Sequence, residues 1–299
     1  MRGWWRDLGD LVLPAECGGC GRPRTVLCPE CRAALNGAAP NRVRPVPEPL
    51  GLPAVHAAAR YEDEVRAVLL AHKERGALAL AGPLGTALAG AVRAGLDGAL
   101  CGGTGVLLVP VPSARRTVRA RGHDPARRIA LAAAGVLRGS GTPARVLAVL
   151  RQRRAVADQA GLSSRQRLDN LADALCVAAG GGRLLAGAGA VVLVDDLMTT
   201  GASLAEAARA VREAVGCGEM GGAKGAERSG EVGNVRVMRN AVYSEAGREG
   251  RGQERAGVTA MGAERRPGAS GMMATGAFGG MICAAVVAAT PDSFEMNRN

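Results

Sequence analysis

Asp195 and Asp196 stand side by side after an apolar run, Val191-Val192-Leu193-Val194, and lead into Leu197-Met198-Thr199-Thr200-Gly201-Ala202-Ser203. Two adjacent carboxylates accept hydrogen bonds from a sugar diol or hold a hydrated Mg²⁺. The hydroxyls of Thr199, Thr200 and Ser203 supply donors for phosphate oxygens. The stretch from Leu204 to Ala214 is Ala-rich and reads as a helix. Its first N–H groups, with those of Gly201 and Ala202, point at an anion, and the helix dipole favours negative charge there. Strand, acidic pair, hydroxyl turn and helix form a cradle for a phosphorylated sugar. A helix cap explains one Asp, but not two followed by such a turn.

A second constellation is Cys17-x2-Cys20-x7-Cys28-x2-Cys31. Two Cys-x-x-Cys knuckles at this spacing suit four thiolates around a structural Zn²⁺, a closed site with no catalytic position. Gly18, Gly19 and Gly21 permit the knuckle backbone. A disulfide pair or a redox dithiol uses similar spacing, but a cytosolic setting argues against disulfides.

These residues need elements to hold them. Residues 1–35 read as the zinc-binding module and the Pro-rich stretch 36–53 as a linker. Val55 to Tyr61 reads as a strand and Glu62 to Arg75 as a helix. Val106 to Val111 is a buried strand, Ala126 to Arg138 a helix and Arg145 to Leu150 a further strand. Ala190 to Val194 and Ile282 to Ala289 complete the set. Strands alternating with helices predict an α/β domain over 54–299 with a parallel sheet. Residues 216–280 hold 17 of the chain's 44 glycines and no period, and read as a disordered insertion.

The chain's 299 residues are 47% hydrophobic with 2% aromatics, so its core is built of Ala, Leu and Val. The net charge of +11 is almost all arginine, because Lys73 and Lys224 are the only lysines. Arginine suits bidentate phosphate recognition, whether of a phosphorylated substrate, pyrophosphate or nucleic acid. The apolar stretch 77–100 is interrupted by Pro83, Arg93 and Asp97, so no membrane span is expected. The N-terminus lacks a signal-peptide core, and a cytoplasmic protein is expected.

The 191–203 stretch resembles the ribose-phosphate loop of type I phosphoribosyltransferases, which bind 5-phosphoribosyl 1-pyrophosphate (PRPP). With the four-cysteine knuckle, Tyr61–Lys73, Val109–Ala126 and Leu150–Asn170, it resembles the ComF/GntX group of phosphoribosyltransferase-like proteins, associated with DNA uptake in competent bacteria. The resemblance implies a type I phosphoribosyltransferase-like parallel sheet with flanking helices. In it, Pro110, Val111 and Pro112 look like a pyrophosphate loop at the sheet's carboxyl edge, followed by Arg115, Arg116, Arg119 and Arg121. Arg121-Gly122 and Ala126 match the family's Arg-Gly-Phe-Asn-Gln-Ala; His123, Asp124 and Pro125 depart from it. Arg154 belongs to a segment similar to the family's mobile loop, and Lys73 matches a family lysine.

The implied function is binding of PRPP with Mg²⁺ and transfer of phosphoribosyl to an unknown acceptor. Asp195 and Asp196 would stabilise an oxocarbenium-like sugar as pyrophosphate leaves. The alternative is a non-catalytic factor that binds single-stranded DNA alongside the competence machinery. The scarcity of aromatic side chains weakens base stacking in that alternative.

Overall fold

Val191 to Val194 offers no polar face, and a strand of that kind must be covered on both sides. In the computed structural model, which describes residues 16–96, 105–154, 170–221 and 280–297, it lies near the centre of a sheet. In chain order the elements are α1 (Pro29–Asn36), β1 (Asn41–Val43), β2 (Val55–Arg60), α2 (Asp63–Glu74), α3 (Ala81–Gly95) and β3 (Val106–Pro110). Then come α4 (Arg115–Arg121), α5 (Pro125–Gly139), β4 (Ala144–Val146), β5 (Leu150–Gln152) and β6 (Leu175–Val177). α6 (Gly181–Ala186), β7 (Ala190–Met198), α7 (Ala202–Gly221) and β8 (Met281–Ala289) follow.

Six strands form one sheet in the order β1-β2-β8-β7-β3-β4, all parallel except β1, and β5 pairs with β6 in a small antiparallel ribbon. The expected α/β architecture with flanking helices and a mostly parallel sheet is present. Val192 and Val194 enter one core with α2, α3 and α5. Val191 and Leu193 enter the other with α7. This is the period-two alternation of a strand buried on both faces.

A core with few aromatics is filled by bringing backbones together. At the crossing of α3 and α5, a Cβ added to Gly85 would lie 2.5 Å from Ala132 Cβ and 2.8 Å from Ala133 N. Leu78–Gly95 has the length and apolarity of a membrane span by composition. Leu84, Leu88, Ala91 and Val92 of that stretch are buried in the core that α5 and the sheet share.

Several boundaries differ from the sequence reading. β7 continues through Asp195 and Asp196 to Met198, so the carboxylates are strand residues rather than followers of a strand. The stretch 145–150 is not one strand. Val146 pairs with Leu108 and Leu150 with Val177, and Leu147 N bonding to Leu108 O marks the corner. Residues 36–53 contain an edge strand, with Val43 buried opposite Val55. α7 carries on to Gly221; residues 222–279, which hold most of the expected insertion, lie outside the described residues.

Candidate functional site

The chain leaves β3 through α5 to β4 on one side, and leaves β7 through α7 to β8 on the other. β3 and β7 are neighbours, so their carboxyl ends flank a topological switch point, where the two connections diverge and open a crevice. Connections of one hand that leave in opposite directions put their helices on opposite faces. Accordingly Ile129 and Ala133 of α5 lie in one core, and Leu204 and Ala208 of α7 in the other.

The loop after β3 starts beside the acidic pair: Pro110 is in register with Val194, and Val111 N donates to Val194 O at 2.9 Å. Asp124 fixes the far side of this loop. Its Oδ2 accepts from Ser113 N at 3.3 Å while its Oδ1 caps α5 by accepting from Arg127 N at 3.1 Å. The turn after β7 depends on Gly201, whose φ of +73° suits a residue without a Cβ. Gly201 O accepts the first helical bond, from Ala205 N at 2.9 Å.

A cleft of about 460 Å³ opens between these loops. It is lined by Asp195, Asp196, Leu197, Thr199 and Ser203 from β7 and the chain that follows it, by Val111, Pro112, Ser113, Ala114, Arg116, Thr117 and Arg121 from the loop after β3 and α4, by Lys73 from α2, and by Gln152, Leu171 and Leu175. Lys73 Nζ lies 3.0 Å from Asp196 Oδ2 and 3.3 Å from Oδ1, and Asp196 is buried. Asp195 Oδ1 accepts from Asp196 N at 2.8 Å. Burial and the Asp196 charge push the Asp195 carboxyl well above the usual range, against the pull of Lys73. Burial would lower the Lys73 ammonium, but the Asp196 and Asp195 charges outweigh it and hold Lys73 above its ordinary value. The two carboxylates thus differ: one is ion-paired, and the other has one oxygen tied to backbone.

Of the residues singled out from sequence, Asp195, Asp196, Thr199, Ser203, Val111, Pro112 and Arg121 line the cleft. Pro110 ends β3, and Thr200 and Gly201 shape the turn. Ala202 borders a separate groove along α7. That groove is larger, about 700 Å³, but its charges are satisfied: Arg209 bonds Glu206 and Glu213, and Arg212 bonds Gly51 O. Arg154 lies apart from the cleft lining and donates to Asn170 O and Ala172 O, both at 2.9 Å. Residues 155–169, most of the expected mobile loop, lie outside the described residues.

The fork of Arg121 grips Glu74, with Nε donating to Oε2 at 3.0 Å, and joins α4 to α2. Beneath Lys73, the buried His72 ring packs against His123 with centroids 5.5 Å apart. Burial, with His123 beside it, pulls His72 down to about 4, so this imidazole is neutral. Sequence reasoning gave Lys73 no role in the cleft and read Asp124 only as a mismatch. Asp124-Pro125, an Asp before a Pro at the start of an apolar-periodic run, is a helix-cap signal that was there to be read.

At the N-terminal end of the described chain, the Sγ atoms of Cys17, Cys20, Cys28 and Cys31 all lie within 4.8 Å of one another. Cys28 N donates to Cys17 Sγ at 3.3 Å and Cys31 N to Cys28 Sγ at 3.5 Å. Burial raises the Cys17 thiol, but backbone N–H groups of Cys20, Cys28 and Gly19 outweigh it and bring it down to about 6. All four are free thiols, close enough to hold a metal ion. The cluster is part of the main core: a Cβ on Gly18 would lie 2.6 Å from Leu80 Cδ1, and one on Gly19 would lie 3.3 Å from Val68 Cγ2.

No protein-family model matches the chain, and no curated protein matches it either.

Proposed function

We propose that the cleft binds a ribose carrying phosphate groups, of the PRPP type, and that the domain is a type I phosphoribosyltransferase-like fold of the ComF/GntX kind. One observation carries this reading. An acidic pair with unlike partners lies near the carboxyl end of the strand at the sheet's switch point, between a Pro-held loop and a hydroxyl turn that opens a 20-residue helix.

In this reading the 5-phosphate meets Thr199, Ser203 and the N–H groups that open α7. The ribose diol meets Asp195 and Asp196, and the loop 110–113 faces the pyrophosphate. Asp196 is already matched by Lys73, so a Mg²⁺ would be held chiefly by the ligand's own pyrophosphate, whose charge it would neutralise. As pyrophosphate leaves C1, positive charge develops on the sugar ring beside the carboxylates, which stabilise it before an acceptor bonds to C1. The four cysteines hold a structural Zn²⁺, since four thiolates leave no open position for chemistry.

The test is a calorimetric titration of wild type and of Asp195→Asn/Asp196→Asn with PRPP and Mg²⁺, followed by assays of pyrophosphate release with candidate acceptors. Wild type gives saturable heat and the double variant does not. Equal heats from both proteins overturn the ribose-phosphate reading. Binding by wild type without pyrophosphate release on any base or amine makes the protein a PRPP-binding module.

A further inference from the structure

Three cationic side chains line the cleft. Lys73 comes from α2, and Arg116 and Arg121 come from α4. The turn after β7 brings the hydroxyl residues Thr199 and Ser203 to the cleft and no cation. Of the cations, Arg121 is committed to Glu74. Lys73 is held by Asp196 yet keeps 32% of its side chain exposed. An ammonium has three donors, and its contacts to Asp196 Oδ1 and Oδ2 engage at most two.

Two adjacent carboxylates would repel an anion bound beside them. Here the repulsion is lessened, because Lys73 pairs with Asp196 at 3.0 Å. An ammonium already fixed in place also loses little side-chain freedom when a ligand arrives.

Resting on the ribose-phosphate reading above, we propose that Lys73 determines specificity. It takes the anionic group at the C1 end, so that the cleft distinguishes a ribose phosphorylated at both ends from ribose 5-phosphate. The competing role for Lys73 is to hold Asp196 in place. In that case its loss would weaken both ligands alike, because both present the diol.

The experiment titrates wild type, Lys73→Met and Lys73→Arg with PRPP·Mg²⁺ and with ribose 5-phosphate. Lys73→Met is expected to lower PRPP affinity by about tenfold or more, ribose 5-phosphate affinity by less than about twofold, with Lys73→Arg restoring part of the preference. Equal losses for the two ligands, or no loss for PRPP, overturn the proposal.

A measurement on wild type decides the matter even where Lys73→Met does not fold. The chain has two lysines, so acylation read by mass spectrometry reports Lys73 against Lys224, which lies outside the described residues, as internal reference. PRPP is expected to slow acylation of Lys73 by about tenfold while ribose 5-phosphate leaves it within about twofold. Equal protection by both, or none by PRPP, refutes the assignment. If wild type takes up neither ligand, the ribose-phosphate reading falls together with this one. If it takes up both and Lys73 responds to both alike, the proposal for Lys73 falls alone.

Discussion

In the cysteine module four thiols from residues 17–31 converge within 4.8 Å, whereas in the cleft Lys73 meets Asp196 across a separation of 123 positions. The module makes its own geometry. Its knuckle closes through Gly21 N to Cys17 O at 2.9 Å, and its sulfurs accept from local N–H groups. Its polar atoms point inward at one another and its apolar atoms feed the core. The cleft borrows its geometry from a sheet and leaves polar atoms facing solvent. One region spends its polar groups on one another within the core, and the other, in the reading proposed above, keeps them for a ligand. Damage to the first should appear as lost stability, and damage to the second as lost binding.

The largest effect is expected for Cys28→Ser, which removes a fully buried thiol from the cluster. Structural zinc sites contribute several kcal/mol or more to folding, so metal content by elemental analysis should collapse and Tm should fall by roughly 10 °C. A variant that keeps its metal and its melting curve breaks the contrast. Next comes Asp195→Asn with Asp196→Asn: about a hundredfold weaker PRPP binding, from losing charge-assisted hydrogen bonds, with Tm within a few degrees of wild type. A Tm loss as large as that of the cysteine variant would show that the acidic pair is structural. In a parallel titration with a labelled single strand, these changes should leave any DNA affinity equal or higher, because negative charge is removed.

A smaller effect concerns pH. His72 is pulled from 6.5 to about 4 by burial, so the unfolded chain binds a proton there that the folded one does not. The stability tied to neutral His72 is fully present above its unfolded value and is lost as pH falls through the folded one. Thermal melts should therefore decline from pH 6.5 to pH 4 in wild type and decline less, by about 5 °C, in His72→Leu. An identical slope in the two proteins refutes the assignment. The smallest effect is for Thr200→Val, about threefold weaker PRPP binding, because backbone donors remain at the turn. A loss as large as that of the acidic pair would make the hydroxyl the principal phosphate contact.

What was legible in the sequence was local. The run Val191–Val194, the acidic pair and the hydroxyl turn declare a strand, a turn and a helix start within thirteen residues, and the cysteine spacing declares a cluster. β2, β3 and β8 were visible because their apolar runs are bounded by polar or Pro-containing stretches. The split of 145–150 was not visible, since Leu150 changes partner to Val177, whose position follows from the ribbon and not from neighbouring residues. Lys73 carried no local sign of its partner because the ion pair exists only once β7 lies beside the helix from β2. The helix read as Leu204 to Ala214 runs on to Gly221, into the Gly-dense stretch set apart from it, because a single glycine costs only about 1 kcal/mol against Ala, too little to end a helix on its own.

The adjacency of β3 and β7 sets a limit on how such a site can change. The loop at 110–113 and the turn at 199–203 spring from hydrogen-bonded neighbours, so the floor between them has the fixed pitch of a sheet, about 4.8 Å. No side-chain substitution can widen that pitch. A ligand of another size is accommodated by longer loops, or by rewriting α2 and α4. Arg121 ties α4 to Glu74 of α2, whose Val65, Val68 and Leu69 are set in the core, so the two helices would have to be rewritten together above a rigid ruler.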